Sequence, residues 1–90
     1  MSAGAATAAR MRELLRALDP ASIEIVDDSA QHAGHAGAQG GGGHFTLTIV
    51  AASFAGQNTL ARHRAVYAAL SPLMAREIHA LAIVARAPGE

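Results

Sequence analysis

Six of the nine glycines in this 90-residue chain lie between Gly34 and Gly43, ending in the run Gly40-Gly41-Gly42-Gly43. Such a stretch has no side chains to bury and behaves as flexible chain. The fold must therefore be built from the segments on either side of it, and residues 30–43 are expected to be a mobile Gly/His-rich loop. Ahead of it, Ile23, Ile25 and Val26 surround Glu24. This β-branched segment reads as a strand, stopped by Asp27-Asp28-Ser29. Behind it the alternation is clear: Phe45, Leu47 and Ile49 point one way, and Thr46, Thr48 and Val50 the other. The pattern is a β-hairpin with an oversized tip, and loops beyond about 12 residues are usually functional or disordered.

The remaining segments supply the covering layer. Met11, Leu14, Leu15 and Leu18 are spaced as one buried helix face. That helix begins near Arg10, after a small, Ala-rich and flexible N-terminus (residues 1–9). Asp19-Pro20 ends it, because the residue before proline is pushed out of the α region. Gly56 marks a turn, and Asn58 or Thr59 can cap a second helix with Leu60, Val66, Tyr67 and Leu70 as its apolar positions. Ser71-Pro72 is expected to start a short helix carrying Leu73 and Met74, since proline suits a first helical position. Residues 78–85 read as a third strand, apolar on both faces. That suits a strand covered on both sides or pairing centrally. Residues 10–88 then form one domain, with 89–90 as a tail. The element order is helix, strand, strand, helix, short helix, strand (αββααβ). The expected fold is α+β: a three-stranded mixed sheet with helices on one face, the hairpin antiparallel and the helical crossover right-handed and parallel.

Composition narrows function by exclusion. The hydrophobic fraction is 51%, but 23 of those residues are Ala and only 23 are larger. A domain this small buries about 60–65% of its unfolded-chain surface. A surface site is therefore expected rather than an enclosed cavity, and an enzyme is not. There is no cysteine, hence no disulfide framework, no thiol chemistry and no Cys-built zinc finger. The longest apolar runs fall far short of the roughly 20 residues of a membrane span. The first nine residues lack the pattern of a secretory signal. The expectation is a soluble cytoplasmic domain with no membrane partner. Seven arginines, no lysine and seven acidic residues give zero net charge, against a strongly electrostatic nucleic-acid binder.

Histidine is the informative residue type, at five in 90. His32, His35 and His44 lie in or beside the loop, and three imidazoles could hold zinc or nickel. A Gly-rich loop does not pre-organise ligands, however, so solvated histidines without individual roles are the plainer reading. His79 sits on the third strand, with Leu81, Ile83 and Ala85 as alternation partners. Taken alone, that pattern describes a partly buried structural histidine. On the second helix, Arg62, His63 and Arg64 point in different directions, because successive helical residues rotate by about 100°. The stems of the two arginines can cover apolar surface while their heads reach carboxylates. The Gly40–Gly43 run leads into a strand and lacks the Gly-Lys-Ser/Thr of a phosphate-binding loop.

Taken together, several blocks resemble the BolA family. They are Ile23-Glu24-Ile25-x-Asp27-Asp28-Ser29, His32-Ala33-Gly34-His35, Gly43-His44-Phe45, Phe54-x-Gly56, Arg62-His63-Arg64-x-Val66-Tyr67 and Ile78-His79-Ala80-Leu81. Each is weak alone; their joint order over Arg10 to Pro88 is specific. The resemblance implies a fold related to the type II KH topology. It also implies an adaptor that partners a monothiol glutaredoxin and shares a [2Fe–2S] cluster with it, in iron–sulfur trafficking or iron and redox regulation. By that resemblance His79 is the C-terminal ligand. The second comes from the hairpin loop, with His32 the closest match by position and His35 and His44 as alternatives. Nitrogen in place of sulfur raises a cluster's reduction potential. With no thiolate of its own, this chain would rely on the partner's cysteine and glutathione, and the isolated chain would bind no cluster. Acid should weaken the site, because ligation requires neutral imidazole.

The same family includes members described as DNA-binding. The alternative expectation is accordingly a transcriptional regulator of stress response or morphology, using Arg62, His63 and Arg64 with Arg76. The isolated chain is expected to be a monomer, with a homodimer as the alternative.

Overall fold

The structure is a computed structural model that describes residues 3–29, 42–74 and 76–90. Most of the expected loop lies outside the described residues, His32 and His35 with it. The α-helices and strands among the described residues are α1 (Ala3–Leu15), β1 (Ser22–Asp27), β2 (Gly43–Val50), α2 (Thr59–Ala69) and β3 (Ile78–Arg86). The strands form one sheet in the order β1-β2-β3. β1 pairs antiparallel with β2, Ile25 opposite Leu47, and β3 pairs parallel with β2, Leu47 opposite Ile83. The α+β class and the mixed three-stranded sheet match the sequence expectation.

The alternation in β2 decides where the core lies. Phe45, Leu47 and Ile49 are buried against Met11 and Leu15 of α1 and Val66 and Leu70, with Phe54, Leu73 and Ile78 completing the cluster. Ile23 and Ile25 of β1, and Leu81, Ile83 and Ala85 of β3, pack against it from the same side. Both helices therefore cover one face. The opposite face carries Val26, Thr46, Thr48, Ala80, Ala82 and Val84, with Val26 46% and Val84 37% exposed.

Four expectations are corrected. Helix α1 starts at Ala3 rather than near Arg10. Alanine is the strongest helix former, and Thr7 continues the buried row of Met11 and Leu15 at intervals of four. The helix following Ser71-Pro72 is replaced by overlapping turns, in which Leu73 N–H donates to Leu70 O and Met74 N–H to Ser71 O. Met74 instead bridges to Ile78, and the chain has too few residues there to complete a helix before entering β3. Strand β3 is an edge strand with one open face, and β2 is central. On α2, Leu60 and Tyr67 are 58% and 41% exposed. Seven residues apart, they share a face turned away from the inward row of Arg62, Ala65, Val66 and Ala69.

The caps follow from local chemistry. Asn58 Oδ1 accepts the Ala61 N–H at 2.8 Å and starts α2. At the end of α1 a 3₁₀ turn over Arg16–Leu18 closes on Asp19, held at φ 49°, a left-handed position that Asp tolerates.

Candidate functional site

The register of β2 and β3 slips between Gly43 and His44: Gly43 faces Ile78, but His44 faces Ala80. His79 is the extra residue of this β-bulge. Simple alternation placed it with Leu81, Ile83 and Ala85 on the core face. The bulge instead resets the phase, so Ile78 points inward, fully buried, while His79 and Ala80 are both exposed. Bulges often re-aim a side chain at a functional position. Here the result is a histidine anchored on a strand and presented to solvent.

Its neighbour is His44. The two rings lie 5.2 Å apart, centroid to centroid, inclined by 43°. His44 is half-buried at the start of β2, and its N–H donates to Ser29 Oγ at 3.1 Å. Asp28 N–H donates to His44 O, which extends the β1–β2 ladder one step past the strand. On the open face Thr46 Oγ1 donates to Asp28 Oδ2 at 2.6 Å. Asp28, His44, Thr46, Ala80 and Ala82 line an open depression of about 320 Å³. Among the described residues no group of three or more His, Asp or Glu is placed to hold a metal ion. The two imidazoles are the nitrogen donors that the described residues bring together here.

Two glycines hold this arrangement together. Gly42 has φ +81°, and a Cβ there would lie 2.7 Å from Arg76 O and 3.0 Å from His79 Cβ. At Gly43 a Cβ would meet the Phe45 ring at 2.5 Å, while the Gly43 N–H donates to Glu77 O at 2.8 Å. Only glycine permits these approaches. The composition predicts loop through Gly43; instead Gly43 is the first residue of β2. Arg10 of α1 forms an exposed ion pair with Glu77 at 3.5 Å, beside the entry to β3.

Of the other sequence-picked residues, His32 and His35 lie outside the described residues. Arg62 is turned inward. Its guanidinium forms a two-pronged pair with Glu90 at 2.6 and 2.8 Å, donates to Gln57 O and Ala85 O, and stands 6.0 Å over the Phe54 ring. This hydrogen bonding, followed by the Ala87 N–H, lowers the Glu90 carboxyl to about 2. His63 is half-buried, and Arg64 and Arg76 are exposed. The histidine pair and the arginines of α2 are thus separate: α2 lies behind the sheet, and the pair is at the opposite, open face.

The comparisons extend this picture. A family model described as BolA-like protein matches residues 14–90. Protein BOLA1, chloroplastic, of Arabidopsis thaliana is 45% identical over 87 residues, covering 92% of this chain and 54% of that protein. SufE-like protein 1, chloroplastic/mitochondrial, of the same plant is 44% identical over 87 residues, covering 90% of this chain and 24% of that protein. The chain thus spans about half or less of these relatives' lengths. The DNA-binding transcriptional regulator BolA of Escherichia coli (strain K12) is 37% identical over 75 residues, 82% of this chain and 69% of that one. Among solved structures, BolA1 from Arabidopsis thaliana superposes with a TM-score of 0.78 at 40% identity, covering 93% of this chain and 94% of that one. No helix among the described residues is long and apolar enough to cross a membrane. With the family model over residues 14–90 and these identities over most of its length, the chain belongs to the BolA-like family.

Proposed function

We propose that this chain is a non-enzymatic adaptor that contributes imidazole ligands to a [2Fe–2S] cluster shared with a monothiol glutaredoxin. The observation that carries the reading is the pair of histidine rings 5.2 Å apart at the open face, one of them exposed on a bulge. The donor set suits half of a shared centre: nitrogen donors, no thiolate, and no third ligand among the described residues. His79 would be one ligand. His44 is the second candidate that the described residues bring beside it; His32, the closest match by position, and His35 are the others. The cluster, when bound, supplies one-electron chemistry and transferable iron and sulfide. The chain's part is to hold His79 still through the Gly42 approach and the β3 ladder. It also replaces thiolate by neutral imidazole, which raises the reduction potential. The partner's cysteine and glutathione complete the ligand set.

The test is anaerobic reconstitution of the chain with a monothiol glutaredoxin, glutathione, iron and sulfide. The expected visible circular dichroism differs from that of the glutaredoxin alone and reverts to it with His79→Ala. A spectrum unchanged by the chain, or insensitive to His79→Ala, overturns the reading.

A second reading, DNA-linked regulation, is favoured by the name of the Escherichia coli relative. For this chain it rests on Arg64 and Arg76, both exposed, since Arg62 is engaged by Glu90. It requires affinity that falls steeply with salt and drops in the Arg64→Ala, Arg76→Ala double variant. Salt-insensitive or equal binding by wild type and variant removes it.

A further inference from the structure

Strand β3 forms one edge of the sheet. Ala51 N–H donates to Arg86 O at 3.0 Å, so Arg86 turns its backbone groups towards β2. Alternate residues of a strand face the same neighbour, and Val84 and Ala82 follow Arg86. The N–H and C=O groups of Leu81, Ile83 and Ala85 therefore point out of the sheet. Arg62 Nη1 donates to Ala85 O at 3.0 Å, which fits this phase and closes the outer edge at its C-terminal end. At the other end, ahead of the bulge, Ile78 N–H donates to Leu73 O at 3.0 Å, and Met74 bridges to Ile78. Between these stops the outward groups of Leu81 and Ile83 have no hydrogen-bond partner among the described residues. An unpaired edge of this kind is a template for another strand unless charge or proline guards it. Residues 78–85 contain no Arg, Asp, Glu, Pro or Gly.

We infer that this edge pairs antiparallel with the same edge of a second copy of the chain, the two-fold axis passing through Ala82. The window between the stops selects that occupant. Leu81 and Ile83 lie symmetrically about Ala82, so a two-fold there sets Leu81 against the second copy's Ile83 and Ile83 against its Leu81. Each pair exchanges both N–H···O bonds, and every free group in the window is used. Other axes fail. An axis at Leu81 sets Ile83 against the bulge at His79. An axis at Ile83 sets Leu81 against Ala85, whose carbonyl Arg62 already holds. A shift of half a residue opposes outward groups to inward ones.

The side chains agree with this register. Ala82 would face Ala82 of the second copy across a pair without hydrogen bonds, where backbones come closest and small side chains fit. On the same open face Ala80 would meet Val84, and on the core side Leu81 would meet Ile83. No like charges oppose each other. A strand of unrelated sequence must bring such a row of groups, whereas a copy has it by symmetry. The two His79 side chains fall at opposite ends of the paired strands, so the dimer does not depend on the shared-cluster reading. So short a ladder makes a weak, reversible dimer, with Kd of about 100 µM.

The experiment combines sedimentation equilibrium with amide hydrogen exchange, from about 10 µM to about 1 mM chain. Dimer is expected to grow over that range. Exchange at the Leu81 and Ile83 amides should slow with it, while the Ala82 and Val84 amides, bonded to β2, stay unchanged. Ala82→Lys and Ala82→Glu each set like charges face to face on the axis. Each alone is expected to weaken the dimer by about fivefold or more. Their equal mixture should return to within about twofold of wild type. Tyr67→Arg, on the exposed face of α2, should leave the dimer unchanged. Should the Ala82 variants fail to fold by far-ultraviolet circular dichroism, the concentration dependence of wild-type exchange decides. A wild type monomeric throughout, exchange at Leu81 and Ile83 indifferent to concentration, or a charge-swapped mixture that stays monomeric would overturn the inference. So would a dimer lost in Tyr67→Arg but kept in Ala82→Lys. Protection of Leu81 and Ile83 that appears only on adding a monothiol glutaredoxin would give the edge to that protein and overturn it as well.

Discussion

At the level of single residues, the geometry assigns different duties to neighbours that look alike in the sequence. His79 is exposed, and its removal takes away a ring contact with the half-buried His44 but no core packing. His79→Ala should therefore shift urea-unfolding stability by no more than about 0.5 kcal/mol, even where it abolishes a cluster signal. Gly42 is the reverse. Its positive φ and its closeness to Arg76 O and His79 Cβ exclude a side chain. Gly42→Ala should cost about 1–2 kcal/mol from backbone strain alone, and the His79 amide resonance should move. A Gly42→Ala protein with wild-type stability would show that the approach is not required. Arg62 and Glu90 form a third case. The Glu90 carboxyl is held at about 2, below its ordinary 4.5. A lowered folded-state value means that the pair stabilises the fold above pH 4.5 and loses that contribution as pH falls towards 2. The stability difference between wild type and Glu90→Gln should be largest near neutrality and vanish across that interval, as denaturation at a series of pH values would read. A difference independent of pH would mean that the carboxylate's charge is not what matters.

At the level of elements, the sheet was largely legible and the helices less so. Phe45, Leu47 and Ile49 alternate without interruption, and all three are buried. Leu47, fully enclosed in the central strand, should cost about 2–5 kcal/mol on replacement by alanine, measured by chemical denaturation; a loss below 1 kcal/mol would displace it from the core. Helix α2 was harder to read, because its inner face is made of Ala65, Ala69 and Val66 with the stem of Arg62. Against such small residues, Leu60 and Tyr67 stand out in the sequence as the larger apolar side chains, yet both are exposed. The phase of His79 could not be read from alternation, since the bulge is set by the packing of Gly42 and Gly43 against β3, a contact between segments 35 residues apart (78 − 43). The edge position of β3 was hidden for a related reason. Ala80, Ala82 and Val84 count as apolar in a pattern, but small side chains can face water at little cost.

At the level of the whole molecule, one layer of helices and one sheet leave a face uncovered among the described residues, and the histidine pair stands at its corner. In a domain this small, a site that cannot be enclosed can be completed by a second protein. The absence of cysteine makes that completion a chemical requirement if iron and sulfide are bound here. Family membership sets the fold, while ligation depends on whether these imidazoles bind iron. The most direct measurement is pulsed electron paramagnetic resonance on the reduced mixed complex of the chain with a monothiol glutaredoxin and glutathione. Histidine nitrogen coupling to the cluster is expected with the wild-type chain and should be lost with His79→Ala. A spectrum showing thiolate ligation alone, the same with and without His79, would contradict the proposal.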